Sequence, residues 1–202
     1  MNQTCPKRGT IVIYGASSPH VDAVFKEQAF ELGALLAENG RSIVTGAGMT
    51  GLMASVEEGA LSRGGRVTGV IPQFMVDNGW QHDGLSEMIV TADMHERKST
   101  MASMADACVA LPGGTGTLEE LFEIITWKML GLFVKPIVIL NTDSYYNPML
   151  EMLDRTVERQ FMTPYFRQLW SVATTPGQVL ELLDSTPDWH SDRSKIHKDY
   201  PK

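Results

Sequence analysis

Short apolar runs alternate along the chain with longer stretches whose apolar residues recur every three to four positions. Residues 10–14 (TIVIY) form the first run, end at Gly15 and read as a strand. Residues 23–39 carry Ala29, Leu32, Leu35 and Leu36 at helical spacing and close on Asn39-Gly40. The alternation continues with strand 42–45, helix 52–61, strand 67–71 ahead of Pro72, a short strand at 88–91 and helix 93–105. Strand 107–111 stops at Pro112-Gly113-Gly114, and helix 117–130 follows with the strongest pattern of all. Its stripe Leu121, Phe122, Ile125 and Met129 is expected to pack on the core. Strand 136–140 and helices 146–159 and 178–183 complete the series. Residues 74–86 read as a loop, with Asp77, Asn78, Gly79, His82, Asp83 and Gly84.

Repeated strand, loop and helix predict an α/β domain, an open parallel sheet with helices on both faces. No internal repeat and no linker rich in Gly, Ser or Pro divides it. A chain of 202 residues suits one domain of ordinary size. The expected layout is an N-terminal tail (1–9), the domain (10–184) and a polar C-terminal tail (185–202) that frays. Sheets of this kind bind ligands beyond the carboxyl ends of their strands, so the loop after each strand is where chemistry is sought.

Charge narrows the partners. Lys plus Arg is 17 against 24 Asp plus Glu, a formal net charge of −7, with no basic run. A nucleic-acid partner is not expected, although amides and an arginine still suffice for a small anion. No stretch approaches the roughly 18 apolar residues of a membrane span, and residues 1–10 lack a signal-peptide core. Cys5 and Cys108 read as free thiols of a reducing compartment, so a cytoplasmic protein is expected. The twelve methionines have no explanation at this level.

The sharpest local feature is Pro112-Gly113-Gly114-Thr115-Gly116-Thr117-Leu118-Glu119-Glu120. Glycines between a strand and a helix let backbone approach a ligand, and the amides of a helix's first turn hold an oxyanion. By pattern alone a tight turn without ligand is as good a reading. Thr117-x-x-Glu120 also fits a capping box, which pattern alone favours over catalysis. Glu119, on another face, competes for the same role. The second feature is Met94-His95-Glu96-Arg97-Lys98, where Arg97 offers a fork of donors for phosphate or carboxylate. His95 has no second histidine at metal-ligand spacing, so no metal is assigned. Gly46, Gly48 and Gly51 match G-x-G-x-x-G, but Glu57-Glu58 falls too early, inside the helix, to serve as the acidic ribose ligand; NAD is not supported. No G-x-x-x-x-G-K-[ST] loop is present.

Gly46-Ala47-Gly48-x-x-Gly51-Leu52-Met53, Gly69-Val70-Ile71-Pro72, Met94-His95-x-Arg97-Lys98 and the 112–120 block, in that order, resemble the LOG family. These are cytokinin-activating phosphoribohydrolases, often described as possible lysine decarboxylases. The similarity spans residues 10 to about 183. The resemblance implies a Rossmann-like fold and hydrolysis of the N-glycosidic bond of a nucleoside 5'-monophosphate, without metal or cofactor. It places the catalytic pair on Arg97 and Glu120, reversing the odds on Glu120, and implies that Arg97 holds Glu120 ionised. Substrate is assigned to Ser17, Ser18, Gly48, Gly51, Met94, His95, Lys98, Gly113, Gly114, Thr115, Gly116 and Thr117. A lysine decarboxylase needs a pyridoxal phosphate lysine, a context neither Lys98 nor Lys128 has.

Three positions depart from the family pattern: Ala47, Ala54 and Gln160 stand where glycine is usual. They bear on whether the released base is N6-modified adenine, adenine itself or another. The family further implies a homodimer, with Phe161, Tyr165, Phe166, Leu169 and Trp170 as interface or core. Rival readings are a nucleotide or molybdenum-cofactor carrier on the same fold and a transferase moving the sugar to another base.

Overall fold

A computed structural model describes residues 9–190. The tail residues 1–8 with Cys5, and residues 191–202 with His197, lie outside the described residues. The elements are β1 (Thr10–Tyr14), α1 (Ala23–Glu38), β2 (Ser42–Thr45), α2 (Gly51–Leu61), β3 (Val67–Pro72), α3 (Gln73–Asp77), β4 (Glu87–Thr91), α4 (Met94–Met104), β5 (Ala107–Ala110), α5 (Thr115–Leu130), β6 (Ile137–Leu140), α6 (Asn147–Glu158), β7 (Ser171–Ala173) and α7 (Pro176–Ser185). Among the described residues the seven strands form one sheet, ordered β4-β3-β2-β1-β5-β6-β7, with every neighbouring pair parallel. It is an α/β, Rossmann-like open sheet.

Alternation along β1 assigns its side chains to two layers. Ile11 and Ile13 pack with Leu32 and Leu36 of α1, Val56 of α2 and Val179 of α7. Val12 and Tyr14 pack with Met101 of α4 and Leu121, Ile124 and Ile125 of α5. Helices therefore cover both faces, which is why the central strands are apolar throughout rather than alternating.

The strand order decides where a ligand can enter. From β1 the chain builds outward through β2, β3 and β4, then restarts on the other side of β1 with β5. The loops after β1 and β5 consequently leave in different directions and open a crevice at their carboxyl ends. One backbone bond, Ala16 amide to Pro112 carbonyl at 3.1 Å, joins the two loops at its base.

Several expectations are corrected. Residues 73–77 are helical, inside the segment read as a loop, and β7 is a three-residue edge strand too short to show a period. α5 starts at Thr115 with Gly114 as its N-cap, so Thr117 and Glu120 do not form a capping box. On α5 Phe122 is exposed, and the buried stripe is Thr117, Glu120, Leu121, Ile124, Ile125 and Lys128. This spacing of three, four and seven is helical, and two charged residues lie on its buried side. Residues just past α7 are docked rather than frayed. Trp189 is buried, packs on Tyr165 at 4.7 Å between ring centroids and donates its amide to Val134 at 2.6 Å. One large apolar side chain outweighs the polar composition around it.

Candidate active site

α5 contributes its first turn. Its first intrahelical bond runs from the Leu118 amide to the Gly114 carbonyl at 2.9 Å, so the amides of Thr115, Gly116 and Thr117 precede the helical ladder. Gly114, Thr115, Gly116 and Thr117 line a cavity of about 740 Å³ at the crevice, opposite Ser17 and Ser18. Nothing lies within 4 Å of a Cβ built on Gly114 or Gly116, so this backbone is open to a ligand. Gly113 behaves differently. It is buried, a Cβ there would overlap the Thr117 side chain, and its carbonyl accepts the Tyr145 hydroxyl at 2.8 Å. Gly113 shapes the turn and does not line the cavity.

The start of α2 is closed by contrast. The amides of Leu52 and Met53 donate to the Ala16 carbonyl at 2.8 and 3.2 Å, and the Thr50 hydroxyl donates to the Ser17 carbonyl at 2.5 Å. Gly51, at φ +71°, lets the two loops touch: a Cβ would stand 2.5 Å from the Ala16 oxygen. Gly51 thus supports the cavity without lining it, whereas Gly48 lines it.

Arg97 reaches the cavity from α4. Asp93 caps that helix by accepting the amides of His95 and Glu96 at 2.8 and 2.9 Å, which also holds its carboxyl below the usual range. Arg97 Nε donates to the Val70 carbonyl at 3.1 Å, and Nη2 stands 3.7 Å from Glu120 Oε1. The guanidinium passes over Gly46 so closely that a Cβ there would overlap it. A glycine is required at 46 because an arginine occupies the space above it.

Glu120 lies on the buried stripe of α5 and lines the cavity floor beside Arg97. Burial pushes its carboxyl up to about 7; Arg97 and Lys98 pull it down, and Glu119 and Glu123 push it up. The expected pull of Arg97 toward the ionised form is present but does not prevail. Desolvation outweighs the ion pair, and near neutral pH the group is poised between its two forms. Tyr14, buried on the same side, is likewise raised well above its ordinary value, chiefly by burial.

The structure separates the other expected residues. Met94 lines the cavity, whereas His95 is exposed and does not. Lys98 does not line the cavity; it pairs with Glu119, which does, and with Glu123 at 3.1 Å. Burial works against its charge, but these two carboxylates win and raise its pKa. Among the described residues, no group of three or more His, Cys, Asp or Glu side chains gathers to hold a metal. Sequence reasoning missed one wall of the cavity. Met75 and Trp80 line it from the segment read as a loop, with Met49 and Met53 alongside. Part of the methionine content is thus explained, since thioethers adapt to irregular apolar ligands.

The reversed strand order and the buried acid at the switch point define the class: a Rossmann-like α/β enzyme whose site opens between β1 and β5. A family model described as "Possible lysine decarboxylase" matches residues 53–183. A protein of Arabidopsis thaliana named as a cytokinin riboside 5'-monophosphate phosphoribohydrolase is 38% identical over 198 residues, 97% of this chain and 91% of that one. A second Arabidopsis protein of the same name is 37% identical, over 89% of this chain and 84% of its own. Among solved structures, the molybdenum cofactor binding protein of Rippkaea orientalis matches with a TM-score of 0.68 and 22% identity, over 88% of this chain and 96% of that one; this likeness speaks for the fold alone. The chain belongs to the LOG family of phosphoribohydrolases.

Proposed function

We propose that the protein is a cytokinin riboside 5'-monophosphate phosphoribohydrolase. It hydrolyses the N-glycosidic bond of an N6-modified AMP, or of AMP itself, to free base and ribose 5-phosphate. The observation that carries this reading is the buried Arg97–Glu120 pair at the floor of a cavity edged by the open amides of α5. The amides of Thr115, Gly116 and Thr117, with the hydroxyls of Ser17 and Ser18, bind the phosphate. Arg97 fixes the substrate relative to Glu120. The base rests on the apolar wall of Met49, Met53, Met75, Met94 and Trp80.

As the bond between the anomeric carbon and the base nitrogen breaks, its electron pair leaves with the base and positive charge builds on the sugar. The Glu120 carboxylate stabilises that charge. It also takes a proton from the attacking water, whose oxygen bonds to the anomeric carbon; that proton passes on to the departing base, which regenerates the carboxylate. A carboxyl raised to about 7 exchanges protons efficiently near neutral pH.

The test is a chromatographic assay of purified protein with AMP, isopentenyladenosine monophosphate, CMP, GMP and the unphosphorylated nucleosides. Base from the isopentenyl monophosphate and not from its nucleoside is expected. Base from AMP or CMP alone keeps the mechanism and changes the substrate. No base from any of them overturns the reading in favour of a carrier. A second base added to the reaction distinguishes transfer from hydrolysis.

The working form is proposed as a cytoplasmic homodimer. Phe166 and Leu169 belong to the core, but Phe122, Leu130, Leu132, Met152 and Phe161 are exposed, Phe161 to 83%. Such side chains on α5 and α6 and just beyond their carboxyl ends are suited to contact a second copy. Among the described residues no helix is long and apolar enough to cross a membrane. Light scattering of the wild type and of Phe161→Asp checks the assembly.

A further inference from the structure

Glu57 is fully buried, yet the proposed reaction does not use it. It lies on α2 beneath the loop that joins β2 to α2. Its Oε1 accepts the Thr45 hydroxyl at 2.5 Å, and the same Thr45 oxygen accepts the Ala47 amide at 3.1 Å. Its Oε2 makes no hydrogen bond and faces His82 Nδ1 at 3.5 Å, a buried atom that makes none either. His82 donates its own amide to the Ala47 carbonyl at 2.9 Å. The Met49 amide to the Trp80 carbonyl at 3.3 Å, and an antiparallel bridge between Gly48 and Gln81, tie the same two strips of chain together. Both strips line the cavity, one through Met49 and the other through Met75 and Trp80.

A carboxyl oxygen and a ring nitrogen are complementary when one proton lies between them. Ionised, the carboxyl is a buried charge held only by the Thr45 hydroxyl and the facing ring, which is costlier there than the neutral acid. We propose that Glu57 and His82 are a positioning pair for the substrate: sharing one proton, they clamp the 73–86 segment onto the β2–α2 loop and hold Met75 and Trp80 against the base. Burial pushes the Glu57 carboxyl up to about 8, against the pull of the Thr45 hydroxyl and with a further push from Glu58. His82 faces it across the loop, and the exposed Glu58 adjoins it on α2. Because the folded-state pKa is raised, the clamp is firmest at acid pH, weakens as pH rises and is loosest once pH has passed about 8. Glu57→Gln keeps an acceptor for Thr45 and gains a fixed donor for His82, and it does not titrate.

The kinetic half of the test rests on the hydrolase reading; the exchange half does not. Hydrogen exchange of peptides spanning 73–86 is measured on the free protein near pH 7 and near pH 9, corrected for intrinsic rates, for wild type, Glu57→Gln and His82→Ala. His82→Ala should lose protection about tenfold at neutral pH, the loss expected when a buried polar group is deprived of the group that faces it. Wild type should lose protection between the two pH values, and Glu57→Gln should not. KM for a nucleoside 5'-monophosphate should follow the same order while kcat stays within about twofold. Full protection in His82→Ala, or the same pH-dependent loss in Glu57→Gln as in wild type, overturns the proposal. The expected exchange pattern without any base release sinks the hydrolase reading and leaves the clamp standing.

Discussion

Replacing Glu120 by Gln separates its chemical role from its structural cost. Gln is isosteric with the protonated acid and remains uncharged at every pH. Burial holds the folded-state carboxyl near 7 against an ordinary 4.5. Since the folded pKa is raised, the native state prefers the protonated form. The associated stability is fully present below about 4.5 and is lost as pH rises through about 7. At pH 8 the wild type bears the whole penalty, on the order of 3 kcal/mol as an upper figure. Glu120→Gln should recover about 1–3 kcal/mol of it at pH 8 and much less at pH 5, read from urea unfolding of both proteins at both pH values. In the same variant, base release should fall by about 10²–10⁴-fold, with ribose 5-phosphate still bound at the α5 amides. The reasoning is refuted by equal destabilisation at both pH values, the mark of a structural carboxylate. Turnover within about tenfold of wild type would refute it equally.

Gly46→Ala puts a methyl group 2.8 Å from Arg97 Cζ, so the guanidinium must leave both Val70 and Glu120. A fall in kcat/KM of about 10²-fold without loss of fold, followed by steady-state kinetics and circular dichroism, is expected. Trp80→Ala removes part of the apolar wall and should raise KM about tenfold for an N6-modified nucleotide, and less for AMP, in the base-release assay. Gln160 sits at φ +65°, where a side chain is strained; Gln160→Gly should raise the unfolding free energy by about 1 kcal/mol with an unchanged denaturant slope.

What the sequence discloses follows from how far each signal reaches along the chain. The parallel sheet was legible because each apolar strand and each glycine-rich loop is a local pattern. Arg97 and Glu120 were legible as candidates from their local motifs, and the family resemblance lifted Glu120 above its capping reading; their 3.7 Å approach depends on α4 and α5 packing on one face of the sheet. The wall built by Met75 and Trp80 was not legible. α3 has five residues and none of them is buried, so it leaves no periodic trace; backbone bonds at Trp80 and His82, just beyond it, tie the segment to the β2–α2 loop. Glu57-Glu58 was legible only as an acidic pair inside the helix; a turn of about 100° per residue puts one inside and the other outside.

The departures from the family's glycines join these threads. Ala47 stands at φ +58° and Gln160 at +65°, so a position where glycine is usual is a left-handed position in both cases. Each costs roughly 1–2 kcal/mol that a glycine avoids. The two are not equivalent. Gln160 is exposed, and its amide donates to the Val157 carbonyl at 3.0 Å. Ala47 is buried, its amide fixed by Thr45 and its carbonyl by His82. Strain at Ala47 is thus offset by the hydrogen bonds that lead to Glu57. Ala47→Gly should therefore relieve less than Gln160→Gly does, because a freer residue at 47 also loosens the loop that shapes the cavity. A larger gain in unfolding free energy at 47 than at 160 would show that the Thr45 and His82 bonds do not hold that loop.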